Sequence, residues 1–145
     1  MPEPFRLRVL SPTGSAFDGM ALSATLPTMS GEITVLAEHM PLVAALVDGE
    51  LRVQTEHGEV SIAVAGGFLE TGPEGATVLS DFAAEAESIE VARVQEAKEL
   101  AQSLLSEKSY RGELLRVERE LQRAVLQLRV AERYRSRRRP RTGTP

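Results

Sequence analysis

Apolar and polar positions alternate in short runs over residues 5–79, the period of half-buried β-strands. Phe5-Arg6-Leu7-Arg8-Val9 opens the series, and Ser11-Pro12-Thr13-Gly14 turns it. Residues 17–26 read as one or two further strands, interrupted at Asp18-Gly19. Pro27 and Gly31 then bracket a turn before the β-type run Ile33-Thr34-Val35-Leu36. The polar pair Glu38-His39 and Pro41 lead into an apolar run over residues 42–47. Asp48-Gly49 turns the chain, Leu51 and Val53 alternate with Arg52 and Gln54, and Glu56-His57-Gly58-Glu59 is a hairpin-loop signal. Val60, Ile62 and Val64 share one strand face, and Gly66-Gly67 predicts a sharp bend or a bulge. Phe68-Leu69-Glu70, the turn Gly72-Pro73-Glu74-Gly75 and a last strand, Thr77-Val78-Leu79, complete a pattern that predicts a β-sandwich or barrel.

After Asp81 the period changes. Residues 83–86 are linker-like, acidic and alanine-rich. Ser88 is placed to cap a helix, with Glu90 in its first turn where the helix dipole favours a carboxylate. Ala97, Leu100, Ala101, Leu104 and Leu105 fall on one side of that helix, and the pattern breaks over residues 108–112. A second helix carries the stripe Leu114, Val117, Leu121, Ala124, Val125 and Leu128. A short loop between two helices predicts an antiparallel hairpin, with Ala97, Ala101 and Ala124 allowing close approach. The fold class is therefore mainly β plus α. Residues 1–87 are predicted to form a sandwich of short strands and 88–135 a helical hairpin, and 136–145 read as a basic, disordered tail.

Charge divides at the same place. Residues 1–88 hold three basic and thirteen acidic side chains, net −10, and residues 89–145 hold fourteen and eight, net +6. An acidic head disfavours nucleic acid, and the basic helix lacks interleaved aromatics. Its arginines, Arg116, Arg119, Arg123, Arg129 and Arg133, read as a solvated face or as a docking face for an acidic protein surface. With 145 residues the chain makes one domain or one domain with an appendage. The absence of cysteine excludes disulfides, zinc–thiolate sites, iron–sulfur clusters and cysteine nucleophiles, and suits a reducing compartment. The start of the chain lacks the pattern of a signal peptide, and no window approaches the ~20 apolar residues of a membrane span, so a soluble chain is expected, joined to any membrane only through a partner.

Candidate chemistry is sparse. Glu32, Glu38 and His39 cluster in one stretch, but a lone histidine beside a turn is more often satisfied by backbone or water than a ligand or catalyst. There is no phosphate-binding G-x-x-x-x-G-K-[ST] loop and no nucleophile–base pair, so no catalytic or metal-binding residue is assigned. On these grounds alone, a freestanding β-sandwich module whose basic helix grips an acidic partner is one reading.

Specific segments support another. SPTGSAFDGMA, PTMSGEITVLAEHMPLVAAL, VDGELRV, AVAGGFLE and ATVLSDFA, followed by Glu120-Leu121, Ala124-Val125 and Gln127-Leu128-Arg129-Val130, occur in order over residues 5–133. This resembles the epsilon-subunit family of the bacterial F-type rotary ATP synthase, the counterpart of mitochondrial delta. Thr34 and Glu38 depart from the family by standing where glycine is frequent. The resemblance implies a ten-stranded sandwich and a C-terminal hairpin. It implies a non-catalytic rotor subunit in the central stalk of a proton-translocating enzyme, peripheral on the cytoplasmic face of the cell membrane. Its partners there would be the gamma subunit, the c ring and the beta subunits, with no nucleic acid and no direct membrane insertion. By the same resemblance Glu32 faces the polar loops of the c subunits and His39 lies in the same foot region. The resemblance also implies that the hairpin is a switch, folded on the sandwich or extended so that Arg116, Arg119 and Arg123 meet the beta subunits and block hydrolysis. Some members bind regulatory ATP through an I/L-D-x-x-R-A pattern. Here Ile89-Glu90-Val91-Ala92-Arg93-Val94 matches it in part, which makes Glu90 and Arg93 the candidate nucleotide contacts and leaves the chain with no other expected cofactor.

Overall fold

The computed structural model describes residues 3–106 and 114–138. The predicted break between the helices and residues 139–145 of the tail lie outside them. Ten strands precede two helices: β1 Phe5–Ser11, β2 Gly14–Ala21, β3 Ser23–Thr28, β4 Gly31–Val35, β5 Leu42–Ala45, β6 Gly49–Thr55, β7 Gly58–Val64, β8 Phe68–Gly72, β9 Gly75–Leu79 and β10 Ala83–Glu85. A single 3-10 turn, Ala86–Ser88, leads to α1 Val91–Ser106 and α2 Leu114–Arg138.

The strands form two five-stranded sheets, ordered β2-β1-β9-β8-β5 and β10-β7-β6-β3-β4. Neighbours are antiparallel except β1 and β9, which run parallel with Val9 beside Val78. Alternation does what it predicts. Leu7, Val9, Leu69 and Val78 of the first sheet and Leu26, Leu51, Val53 and Ile62 of the second face one another, all fully buried. Val60, Ile62 and Val64 do share the core face. Among the described residues, no helix residue enters this core.

The Gly66-Gly67 bend is present, both residues holding positive φ, 60° and 106°. A Cβ at Gly67 would stand 1.9 Å from the Leu79 carbonyl oxygen, so β8 and β9 pair here only because the side chain is missing. Glu38 also holds positive φ, 58°, alone among the non-glycine described residues. Thr34 lies 3.0 Å from Thr25 through their hydroxyl oxygens, a cross-strand hydrogen bond.

Four sequence-based boundaries move. The break between β2 and β3 falls at Leu22, not at Asp18-Gly19. Asp18 lies opposite Arg8 in mid-strand and pairs with Arg6 at 3.1 Å, so its charge marks a cross-strand partner. The expected linker contains β10, an edge strand on β7. Ser88 does not cap α1: its hydroxyl donates to the Glu85 carbonyl at 2.9 Å, and α1 starts three residues later, with Glu90 ahead of its first residue. Finally, α2 continues through Arg138, beyond the expected end at residue 135.

Helix α2 packs against α1 and also against the outer face of the second sheet. Leu126, Val130, Ala131 and Tyr134 meet Ala63, Ala86 and Ile89 in a second, separate apolar cluster. These helix residues lie outside the stripe predicted from sequence, which instead runs toward α1 through Val117 and Ala124, both buried. Ala101 is buried as well, whereas Ala97 is exposed.

Candidate partner-binding surfaces

Glu32 projects from the outer face of β4, paired in register with Pro27. Arg52 on β6 reaches across β3 and donates to the Glu32 carboxylate at 3.2 Å. The pair is solvated, the Glu32 side chain 64% exposed, so it orients the carboxylate at little energetic gain. His39 sits in the crossover between β4 and β5, half-buried, its Nδ1 2.9 Å from the Met40 carbonyl oxygen. This is the backbone-satisfied loop histidine that the residues alone suggest.

The two do not meet. Glu32 is next to the Met29-Ser30 turn, which bonds to Ala45 at the far end of β5. His39 lies where β5 begins, in a shallow depression with Phe5 and the Gly72–Gly75 turn. The four residues of β5 lie between them.

A surface that the sequence did not single out lies on the outer face of the first sheet. Ala45, Phe68, Leu79 and Leu10 fall in register across β5, β8, β9 and β1. Phe68 and Leu79 are 58% and 54% exposed. Val43, two residues before Ala45 on the same face of β5 and 68% exposed, extends this apolar row. Sequence alternation contains the signal: Phe68 and Leu79 occupy the out-facing parity of strands whose in-facing residues, Leu69 and Val78, already fill the core.

The three arginines assigned to the regulatory face of α2 are not equivalent. Arg116 pairs with Glu120 at 3.3 Å, one turn along. Arg119 is exposed and makes no ion pair within the described residues. Arg123 lies over the Phe82 ring at 5.5 Å, a cation–π contact that ties the helix to the chain leaving β9. Arg123 also lines an open groove of about 390 Å³ between the helices, with Arg93, Val94, Ala97, Glu120, Ala124 and Gln127. The structure thus brings the nucleotide candidate Arg93 toward Arg123. Glu90, the other candidate, pairs with Arg93 at 3.4 Å.

The sequence places Arg137 in the basic tail, yet it lies in the last turn of α2 over two carboxylates of the sandwich. Its Nη1 and Nη2 donate to Glu50 at 3.0 and 2.5 Å, and Nε and Nη2 donate to Glu59 at 3.2 and 2.8 Å. Ser61 donates its hydroxyl to Glu50 as well. The hydrogen bond to Glu50 raises Arg137 above its already high ordinary value, against the opposing effect of burial, so the guanidinium stays charged throughout the neutral range. Among the described residues no group of three or more His, Asp or Glu side chains is placed to hold a metal ion, and no helix is long and apolar enough to cross a membrane.

Residues 4–86 match the family described as ATP synthase, Delta/Epsilon chain, beta-sandwich domain, and residues 87–132 match ATP synthase, Delta/Epsilon chain, long alpha-helix domain. ATP synthase epsilon chain 1 of Methylococcus capsulatus is 39% identical over 128 residues, covering 88% of this chain and 91% of the relative. The ATP synthase epsilon chain, sodium ion specific, of Propionigenium modestum is 32% identical over 130 residues, covering 90% and 95%. Among solved structures, a chain of the Euglena gracilis mitochondrial ATP synthase assembly of OSCP, F1 and c-ring has the same fold, with a TM-score of 0.60 at 20% identity over 94% of this chain and 82% of that one.

Proposed function

The chain belongs to the ATP synthase delta/epsilon family, whose members are non-catalytic subunits, and from that premise we propose that it is a central-stalk rotor subunit that joins gamma to the c ring and restrains ATP hydrolysis through its C-terminal helices. The observation that carries this reading is the open apolar row on the first sheet. The hairpin covers the outer face of the second sheet and leaves Phe68 and Leu79 to the solvent. An exposed row of that kind on a stiff sandwich suits a permanent protein partner, and gamma is the partner assigned to it. Phe68→Glu combined with Leu79→Glu should abolish recovery of the subunit with the membrane-bound ATPase while the isolated chain stays folded. Full recovery would refute the assignment.

Glu32 is assigned to the polar loops of the c ring, and His39 to the same foot region. Glu32→Arg then weakens coupling, read as proton pumping per ATP hydrolysed in membranes. Pumping at the wild-type ratio would leave Glu32 as a solvated strand residue held by Arg52. The subunit would work as a peripheral protein on the cytoplasmic face of the membrane.

The brake is assigned to α2. Replacing Arg116, Arg119 and Arg123 with alanine should raise hydrolysis by the assembled enzyme, spare synthesis, and show its largest effect at low salt. Equal rates at low salt would remove these arginines from the brake. The groove between Arg93 and Arg123 is the place where regulatory ATP would bind, its phosphates meeting two guanidinium groups. A shift in the melting temperature of the isolated chain on adding ATP, lost in Arg93→Ala, checks this.

A further inference from the structure

We propose that Arg137 is a latch: its guanidinium, seated on Glu50 and Glu59, fixes the hairpin in its docked position and sets how readily the hairpin leaves the sandwich. The regulatory consequence rests on the reading of the hairpin as a brake. The latch itself rests on geometry alone.

Glu50 lies on β6 with its side chain only 8% exposed. Glu59 lies on β7, and its neighbour in register is Gln54, not a cation. Arg52, the arginine nearest in sequence, is turned away toward Glu32. Two carboxylates on one sheet face, one of them nearly enclosed, therefore take their countercharge from α2. Arg137 supplies it in the fork geometry that a guanidinium offers a carboxylate, with both terminal nitrogens on Glu50.

The rest of the docking surface cannot set register in the same way. Leu126, Val130 and Tyr134 contribute apolar contact, which is non-directional. Arg135 donates to the Ile89 carbonyl at 3.3 Å, and Arg138 approaches Glu87 at 3.8 Å in a pair open to solvent on both sides. Among the described residues, only Arg137 couples the end of α2 to an enclosed charge. When the hairpin leaves, Glu50 keeps the Ser61 hydroxyl and Glu59 keeps the Gln54 amide, but both lose the cation that ties them to α2.

The test uses the full-length isolated chain and hydrogen exchange. Arg137→Gln should speed exchange in α2 over residues 126–134 by roughly 10- to 100-fold, with exchange in β1, β8 and β9 unchanged. Arg137→Lys, which keeps the charge and loses the fork, should fall between the two. Raising salt should loosen α2 in the wild type and have little effect in Arg137→Gln. Wild-type exchange in Arg137→Gln overturns the proposal, and so does an equal acceleration in the sandwich strands. A second arm separates the latch from the brake. In the assembled enzyme Arg137→Gln should lower ATP hydrolysis, because a freed hairpin reaches its inhibiting position more often. Faster exchange with unchanged hydrolysis would keep the latch and refute the brake. Unchanged exchange with altered hydrolysis would refute the latch and keep the brake.

Discussion

Leu126→Ala separates the two apolar clusters energetically. Leu126 is 2% exposed and packs with Ala63, Ala86, Ile89, Val130 and Tyr134, while the sandwich core contains no helix residue among those described. Truncating a buried leucine to alanine costs about 2–5 kcal/mol, and an interface of small alanines closes over the gap more easily than an enclosed core, which favours the lower half, about 2.5 kcal/mol. At 1.4 kcal/mol per factor of ten, docking of the hairpin should weaken about 60-fold. The loss belongs to the hairpin alone. In urea, followed by far-ultraviolet circular dichroism for the helices and by amide hydrogen exchange in β1, β8 and β9 for the sandwich, the helical transition should move down by about 2.5 M for a small unit with an m-value near 1 kcal/mol/M. The sandwich midpoint should stay where it is. If both midpoints fall together, the two clusters unfold as one unit, and a hairpin that can leave a folded sandwich is refuted.

Truncation after Ser88 should leave a folded sandwich, because Leu7, Val9, Leu51 and Ile62 keep all their core neighbours; a disordered spectrum from residues 1–88 would show that the hairpin completes the fold. Gly67→Ala should lower stability by at least about 2 kcal/mol, roughly 10 °C in the melting temperature of a domain of this size, since it combines positive φ with a backbone clash at Leu79. A melt within about 2 °C of wild type would mean that β8 and β9 can separate at that point without loss. Glu38→Gly should be neutral or stabilising by up to about 1 kcal/mol, because relief of the left-handed strain is partly offset by the greater freedom of glycine in the unfolded chain; a clear loss of stability would show that the Glu38 side chain makes a contact of its own.

The strands were legible where alternation has a single cause. Leu7 and Val9, or Ile62 and Val64, point inward because water lies on the other side, and period two records that. Legibility fails where a second cause enters. Asp18-Gly19 looks like a turn until Arg6 and Arg8 are seen opposite it, and strand partners are not visible in a local window. Residues 83–85 hold two alanines and a glutamate, a composition that carries no strand signal, yet the edge of β7 needs hydrogen-bond partners and takes them there. In α2 the interleaved arginines hide a second apolar face: Leu126, Val130 and Tyr134 lie four apart behind the stripe that faces α1. Arg137 was the hardest to see. A run of arginines is indistinguishable from a solvated tail until its acceptors are known, and Glu50 is 87 residues away in the chain.

The parallel pairing of β1 with β9 has a consequence for the order of events during synthesis. The first strand to emerge is a central strand of its sheet, and its second neighbour appears about seventy residues later. Until β9 leaves the ribosome, β1 can hold only the hairpin with β2, and half of its backbone groups wait on water. Contacts of such long sequence separation close late and slowly. The sandwich therefore forms as one delayed step near the end of residues 1–85, and the helices, made last, meet a surface that is already complete. A hairpin that detached in the mature protein would return the sandwich to a state the nascent chain has already occupied, and such release would require no repacking of the body beneath.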